Sequence, residues 1–239
     1  EGDKLPFVFY TNGFDSYFWE HGFYPPVKVH GFPTRDDLEW LVERRDSRRP
    51  LSAELINTRI VERDYQFAAI RRILEGIESK RRKFLLVMAT GTGKTRTAVA
   101  LLDVLMRARW AKRILFLVDR IALRDQALDA FKEHLPSEPR WPNPGETEFS
   151  KDRRIYVTTY PTMLGIIQRG DTPETWISPH FFDVIVADES HRSIYDTYRQ
   201  VLDYFNAVKL GLTATPQDKI DRDTFSLFDC DAQEPSFAY

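Results

Sequence analysis

Six consecutive residues, Thr90-Gly91-Thr92-Gly93-Lys94-Thr95, carry the sharpest chemical signal in the sequence. Glycines let backbone amides come close enough to wrap phosphate oxygens, and a helix starting at Lys94 turns its positive end on the same anion. Lys94 can reach β- and γ-phosphates, and the Thr95 hydroxyl is suited to ligating Mg²⁺. Met88 stands where the full G-x-x-x-x-G-K-[ST] pattern has its first glycine, so the reading rests on the loop's place between a buried strand and a helix. A second cluster, Asp188-Glu189-Ser190-His191, directly follows the apolar run Val184-Ile-Val-Ala187. Open α/β sheets bind ligands at the carboxyl ends of their strands. Phosphoryl transfer needs one carboxylate to hold Mg²⁺ and another to orient water; Asp188 fits the first role and Glu189 the second. Alone, this tetrapeptide reads as a solvated turn. Gly211-Leu-Thr-Ala-Thr-Pro216 ends a third apolar run in two hydroxyl residues, a weak signal by itself.

These residues need strand ends to hold them, and the pattern supplies strands. Phe84–Met88, Ile114–Val118, Ile155–Thr158, Asp183–Ala187 and Lys209–Leu212 are short apolar runs, as expected for strands buried on both faces. Helical spacing or length separates them: Tyr65 to Leu74, Lys94 to about Arg109, a segment ending near His134, Thr162–Gln168, and Thr197–Phe205. Such alternation predicts parallel βαβ units and a doubly wound α/β sheet. Pro136 to Gly145 holds four prolines and reads as a loop. At the start, Phe7–Thr11 and Phe14–Trp19 flank Asn12-Gly13, which predicts a hairpin with a type I′ turn. Thr34 with Asp37 three residues on is a capping box, opening a helix that ends in the basic linker Arg44 to Arg49. The expected divisions are a hairpin over 1–33, helix and linker over 34–60, the α/β lobe over 61–216, and an acidic linker or disordered end over 217–239.

Composition narrows the classes. The 239 residues are 42% hydrophobic and 29% charged, enough apolar content for a packed core. Lys plus Arg is 34 against 36 Asp plus Glu, so any nucleic-acid contact must use a local patch. One cysteine, Cys230, excludes a disulfide framework and a Cys-rich zinc site. No apolar run approaches a membrane span and no signal peptide opens the chain, which points to a cytoplasmic protein without membrane partners. The first residue is Glu1, as in an excised piece of something longer.

Taken together, the three segments resemble superfamily 2 helicases and translocases, with a RecA-like P-loop lobe. Lys94 and Thr95 match motif I, Asp188 to His191 the D-E-x-H form of motif II, and Thr213-Ala-Thr215 motif III. Arg63-Asp-Tyr-Gln66 is similar to the Q-motif, whose glutamine reads adenine. Leu117-Val-Asp-Arg120 with Asp125-Gln126 resembles motif Ia and Thr158-Thr159-Tyr160 motif Ib. Within that superfamily, Met88 to Thr97, Asp188 to Tyr195 and Gly211 to Pro216 look like the motor subunit (HsdR) of type I restriction enzymes. Phe9-Tyr-Thr-Asn-Gly13 resembles the end of that subunit's nuclease domain.

The resemblance implies ATP and Mg²⁺ as cofactors. ATP would be bound by Arg63, Gln66, Thr90, Gly91, Thr92, Gly93, Lys94 and Thr95. Lys94, Asp188 and Glu189 would be catalytic, and Thr95 and Asp188 would hold the metal. His191, Thr213 and Thr215 would couple nucleotide state to a strand-binding surface at Arg120 and Thr159. Implied partners are double-stranded DNA and the methyltransferase and specificity subunits. Residues 217–239 are too few for a second lobe, so the chain is expected to bind nucleotide and turn it over slowly. The E-x-K of such nucleases occurs only as Glu78-Ser79-Lys80, at a helix end, so no DNA cleavage is expected. Two alternatives stay open: another superfamily 2 helicase, or a non-catalytic nucleotide-gated docking module. The clusters Arg44 to Arg49 and Lys80-Arg-Arg-Lys83 read as solvated helix ends before phosphate contacts, and Trp110 and Trp141 as packing residues.

Overall fold

The computed structural model describes residues 7–188, 196–215, 222–230 and 234–239. Along the chain run β1 (Phe7–Thr11), β2 (Ser16–Glu20), β3 (Val27–Val29), α1 (Arg35–Ser47), α2 (Asp64–Glu78), β4 (Lys83–Val87), α3 (Lys94–Arg107), β5 (Ile114–Val118), α4 (Ile121–His134) and β6 (Arg140–Trp141). They are followed by β7 (Ile155–Thr159), α5 (Tyr160–Gln168), β8 (Val184–Ala187), α6 (Asp196–Tyr204), β9 (Val208–Thr213), α7 (Arg222–Leu227) and β10 (Phe237–Ala238). Among the described residues seven strands form one parallel sheet, in the order β10-β4-β9-β8-β5-β7-β6. Helices cover both faces, so the central strands are buried throughout, as in Ile114–Val118 and Ile155–Thr159. One apolar cluster packs α2, α3 and α4 on the sheet, and the other packs α5, α6 and α7 against it from Leu85, Leu115, Tyr156 and Ile185. The doubly wound α/β expectation holds.

The short elements depart from the sequence reading. The amino-terminal sheet has a third strand, β3, beyond the prolines that mark a break. Its first connection is not a two-residue type I′ turn, because Thr11 pairs with Ser16 and four residues form the loop. Asn12 accepts through Oδ1 from the amides of Phe14 and Asp15, and only Gly13 takes positive φ there, at +93°. The proline-rich loop contains the two-residue edge strand β6, a position that tolerates flanking prolines. In its described parts the acidic tail lies against the lobe: α7 packs on it and β10 pairs with β4.

The extension is bolted to the lobe by charge. Thr34 and Asp37 form the expected reciprocal cap of α1. Arg44 and Arg45 are not solvated, which corrects that part of the reading of Arg44 to Arg49 as a solvated helix end, while Arg49 is exposed. Arg44 pairs with Glu20 at 3.1 Å and with Asp183 at 3.3 Å. Arg45 pairs with Glu20 at 3.2 Å and lies 3.8 Å over the Phe7 ring. Asp183, just before β8, also accepts from Trp40 Nε1 at 2.8 Å and from the amides of Lys112 and Arg113 at 2.8 and 3.1 Å.

Candidate nucleotide-binding site

β4 delivers the phosphate loop. Its side chains are core, and Met88 after it is fully buried with its amide bonded to Thr213 O at 3.0 Å. That burial explains the missing first glycine: this position belongs to the packed strand end, so the backbone there needs no extra freedom. Beyond it the chain turns out to solvent, with Thr90 and Gly91 exposed. Gly91 and Gly93 take φ of +79° and +87°, a region costly for residues with a Cβ. Gly93 is the N-cap of α3 and offers no side-chain cap, and no acidic residue sits in the first turn. The leading amides of α3 and its positive end therefore face the loop without an internal acceptor, which fits a phosphate group. Lys94 and Thr95 are the first two helical residues, both half-buried.

Two neighbouring strands bring the other groups to the same edge. Thr213 ends β9, paired with Val87, and is fully buried; its Oγ1 accepts from the Thr215 amide at 3.0 Å. Asp188 follows β8, half-buried, with its amide bonded to Leu117 O at 2.9 Å. The ends of β4, β9 and β8 are adjacent in the sheet, which sets loop and carboxylate two strand spacings apart, roughly 10 Å. Glu189 and His191 lie outside the described residues.

Gln66 sits against the loop and is 4% exposed. Its Oε1 accepts from the Arg63 amide at 3.3 Å, and its Nε2 donates to Thr92 O at 3.3 Å. A Cβ on Gly93 would stand 2.6 Å from that Nε2. Sequence reasoning counted Tyr65 only in a helical spacing and so missed its part. Tyr65 donates its hydroxyl to the same Thr92 carbonyl at 2.9 Å and accepts from Arg63 Nη1 at 2.6 Å. Its ring stacks on Tyr239 at 3.8 Å, and Tyr239 O accepts from the Ala89 amide at 3.3 Å. The signal available in the sequence was only its adjacency to Gln66.

Arg120 and Thr159 stand at the ends of β5 and β7, on the far side of β8 from the loop. Arg120 is exposed beside Asp119 at 3.3 Å. Thr159 is 7% exposed and caps α5, so the accessible donor of the two is Arg120.

A family model described as "Type III restriction enzyme, res subunit" matches residues 59–218. The chain belongs to this family. The res-subunit stretch covers every strand of the parallel sheet except the edge strand β10. Among relatives, the chain is 37% identical to the type I restriction enzyme EcoKI endonuclease subunit of Escherichia coli K12, over 64% of this chain and 15% of that subunit. It is 36% identical to the EcoAI endonuclease subunit of Escherichia coli, over 65% of this chain and 19% of the subunit. The chain thus spans under a fifth of the length of these curated relatives. A fragment structure attributed to an HsdR subunit of a type I restriction enzyme from Vibrio vulnificus YJ016 covers 98% of this chain and 41% of that one, at TM-score 0.59 and 28% identity. The Sulfolobus solfataricus SWI2/SNF2 ATPase core, 15% identical at TM-score 0.56 over 71% of this chain and 36% of its own, shares the fold. This is a superfamily 2 helicase-like domain with a RecA-like sheet, related to type I restriction R subunits.

Proposed function

We propose that this chain is the ATP-binding first motor lobe of an ATP-dependent DNA translocase of the type I restriction R-subunit class. The observation that carries the reading is the meeting of Gly91 to Thr95, Thr213 and Asp188 on three adjacent strand ends. Gly91, Gly93 and the α3 amides cradle the phosphates, with Thr90 and Thr92 completing the loop, and Lys94 neutralises the β- and γ-oxygens. Thr95 and Asp188 hold Mg²⁺, which when bound supplies positive charge to the phosphate oxygens. Glu189 orients the attacking water. Gln66, supported by Arg63, selects adenine, and its bond to Thr92 O ties base recognition to the loop. Thr213 links the two ends of the machinery through the Met88 amide; with Thr215 and His191 it passes nucleotide state to duplex DNA at Arg120 and Thr159.

The whole enzyme would be cytoplasmic and would assemble with methyltransferase and specificity subunits. Calorimetry of ATP–Mg²⁺ binding tests the reading, run beside Lys94→Ala and GTP. Binding that prefers ATP and weakens at least tenfold in Lys94→Ala is expected. Equal affinity for the two proteins would remove Lys94 from the site, and equal affinity for GTP would remove Gln66 as base reader.

A further inference from the structure

The starts of the same strands face a second, chemically different region. A groove of about 1060 Å³ lies between β3 of the extension, the beginnings of β4 and β9, and the last turns of α5 and α6. Its described lining holds seven Lys or Arg against two Asp, in a chain whose net charge is −2. Lys80, Arg81, Arg82 and Lys83 run along one wall, with Lys209 at the base. Among the described residues three of the seven cations have acidic partners: Lys28 with Asp15, Lys83 with Asp229 and Arg199 with Asp203.

The ordinary explanation for basic residues here is compensation of helix carbonyl ends. α2, α5 and α6 all finish near this groove, but each end carries only about half an elementary charge. Three such ends offset about 1.5 of the surplus of four that remains once Asp15 is counted with the two lining Asp, so a concave positive field remains. Concave walls of low dielectric focus that field. Burial pulls the Lys209 ammonium down to about 8, opposed by Asp203 and Asp229 and assisted by Lys83 and Arg82. His30 and Tyr204, both in the lining, stack on each other at 6.0 Å. Aromatic faces beside a line of cations suit bases beside phosphates.

We propose that this groove holds the phosphate backbone of a nucleic-acid strand, about 17 Å along the sheet from the phosphate loop. It is a second contact surface, at the opposite strand ends from Arg120 and Thr159. The inference stands on charge and shape and is independent of the nucleotide reading.

Fluorescence anisotropy with labelled 20-residue single-stranded DNA and its duplex, without nucleotide, tests it. The double variant Lys80→Glu with Arg81→Glu alters exposed side chains, so folding is checked simply by its melting curve. Binding should weaken about tenfold or more, and the slope of log affinity against log salt should fall by about 0.7 per lost contact on the single strand. Arg35→Glu, at an exposed position of α1, should change neither quantity. The proposal is overturned if the double variant binds as the parent does, if Arg35→Glu weakens binding equally, or if polyglutamate competes as well as DNA at equal charge.

Discussion

Gly93 is where the phosphate loop and the candidate base reader touch, and its side-chain hydrogen cannot be enlarged without displacing Gln66. Gly91 has a similar positive φ but open space around it. Alanine at Gly91 should therefore cost only the left-handed strain, about 1–2 kcal/mol. At Gly93 the same strain is joined by a collision with a flexible amide, so the loss should be larger by about 1 kcal/mol. Removing the obstacle with Gln66→Ala should return that excess, as a double-mutant cycle of thermal unfolding can measure. Equal costs at both glycines in both backgrounds would contradict the contact. The glycines, Lys94 and Asp188 were legible in the sequence because their types and order are scarce outside such sites. Tyr65 was not, because its bond to Thr92 O closes a span of 27 residues that no local pattern encodes.

At the level of elements, long apolar runs were legible and short edge strands were not. β5, β7 and β8 are buried along their full length, and burial writes itself into sequence as an unbroken apolar run. β6 and β10 have two residues each, too few to show a period, and exist because a neighbouring strand offers free amides and carbonyls. The pairing of Arg44 was equally invisible, since its acids stand 24 and 139 residues away. Asp183 is 8% exposed and receives four donors. Deleting one partner of such a buried pair leaves the other charge uncompensated, typically at 3–5 kcal/mol. Arg44→Met should therefore lower stability by about 3 kcal/mol, which for a chain of this size is roughly 6–12 °C in melting temperature. A change under 1 °C would mean that the extension is held by its apolar contacts alone.

The whole molecule should lose stability in acid through its seam. His180 is buried against Phe18 of the extension at 4.8 Å. Burial lowers its pKa to about 4, opposed by Asp37 and assisted by Arg82. The unfolded chain takes up a proton near pH 6.5 while the folded chain does not until about pH 4. Between those values the unfolded state binds more protons, so stability falls as pH falls, by roughly 3 kcal/mol across the window. His180→Gln should flatten that part of the urea-unfolding profile relative to the parent, and an unchanged profile would assign the acid sensitivity to other groups.

β8, Val184–Ala187, contains no glycine and joins Asp183, gripped by Trp40 and Arg44, to Asp188 at the phosphate edge. In mechanical terms it is a strut about 17 Å long, laterally braced by β5 and β9. A shift of the carboxylate along the strand axis would therefore be felt at α1 and, through the Arg44–Glu20 pair, at the amino-terminal sheet.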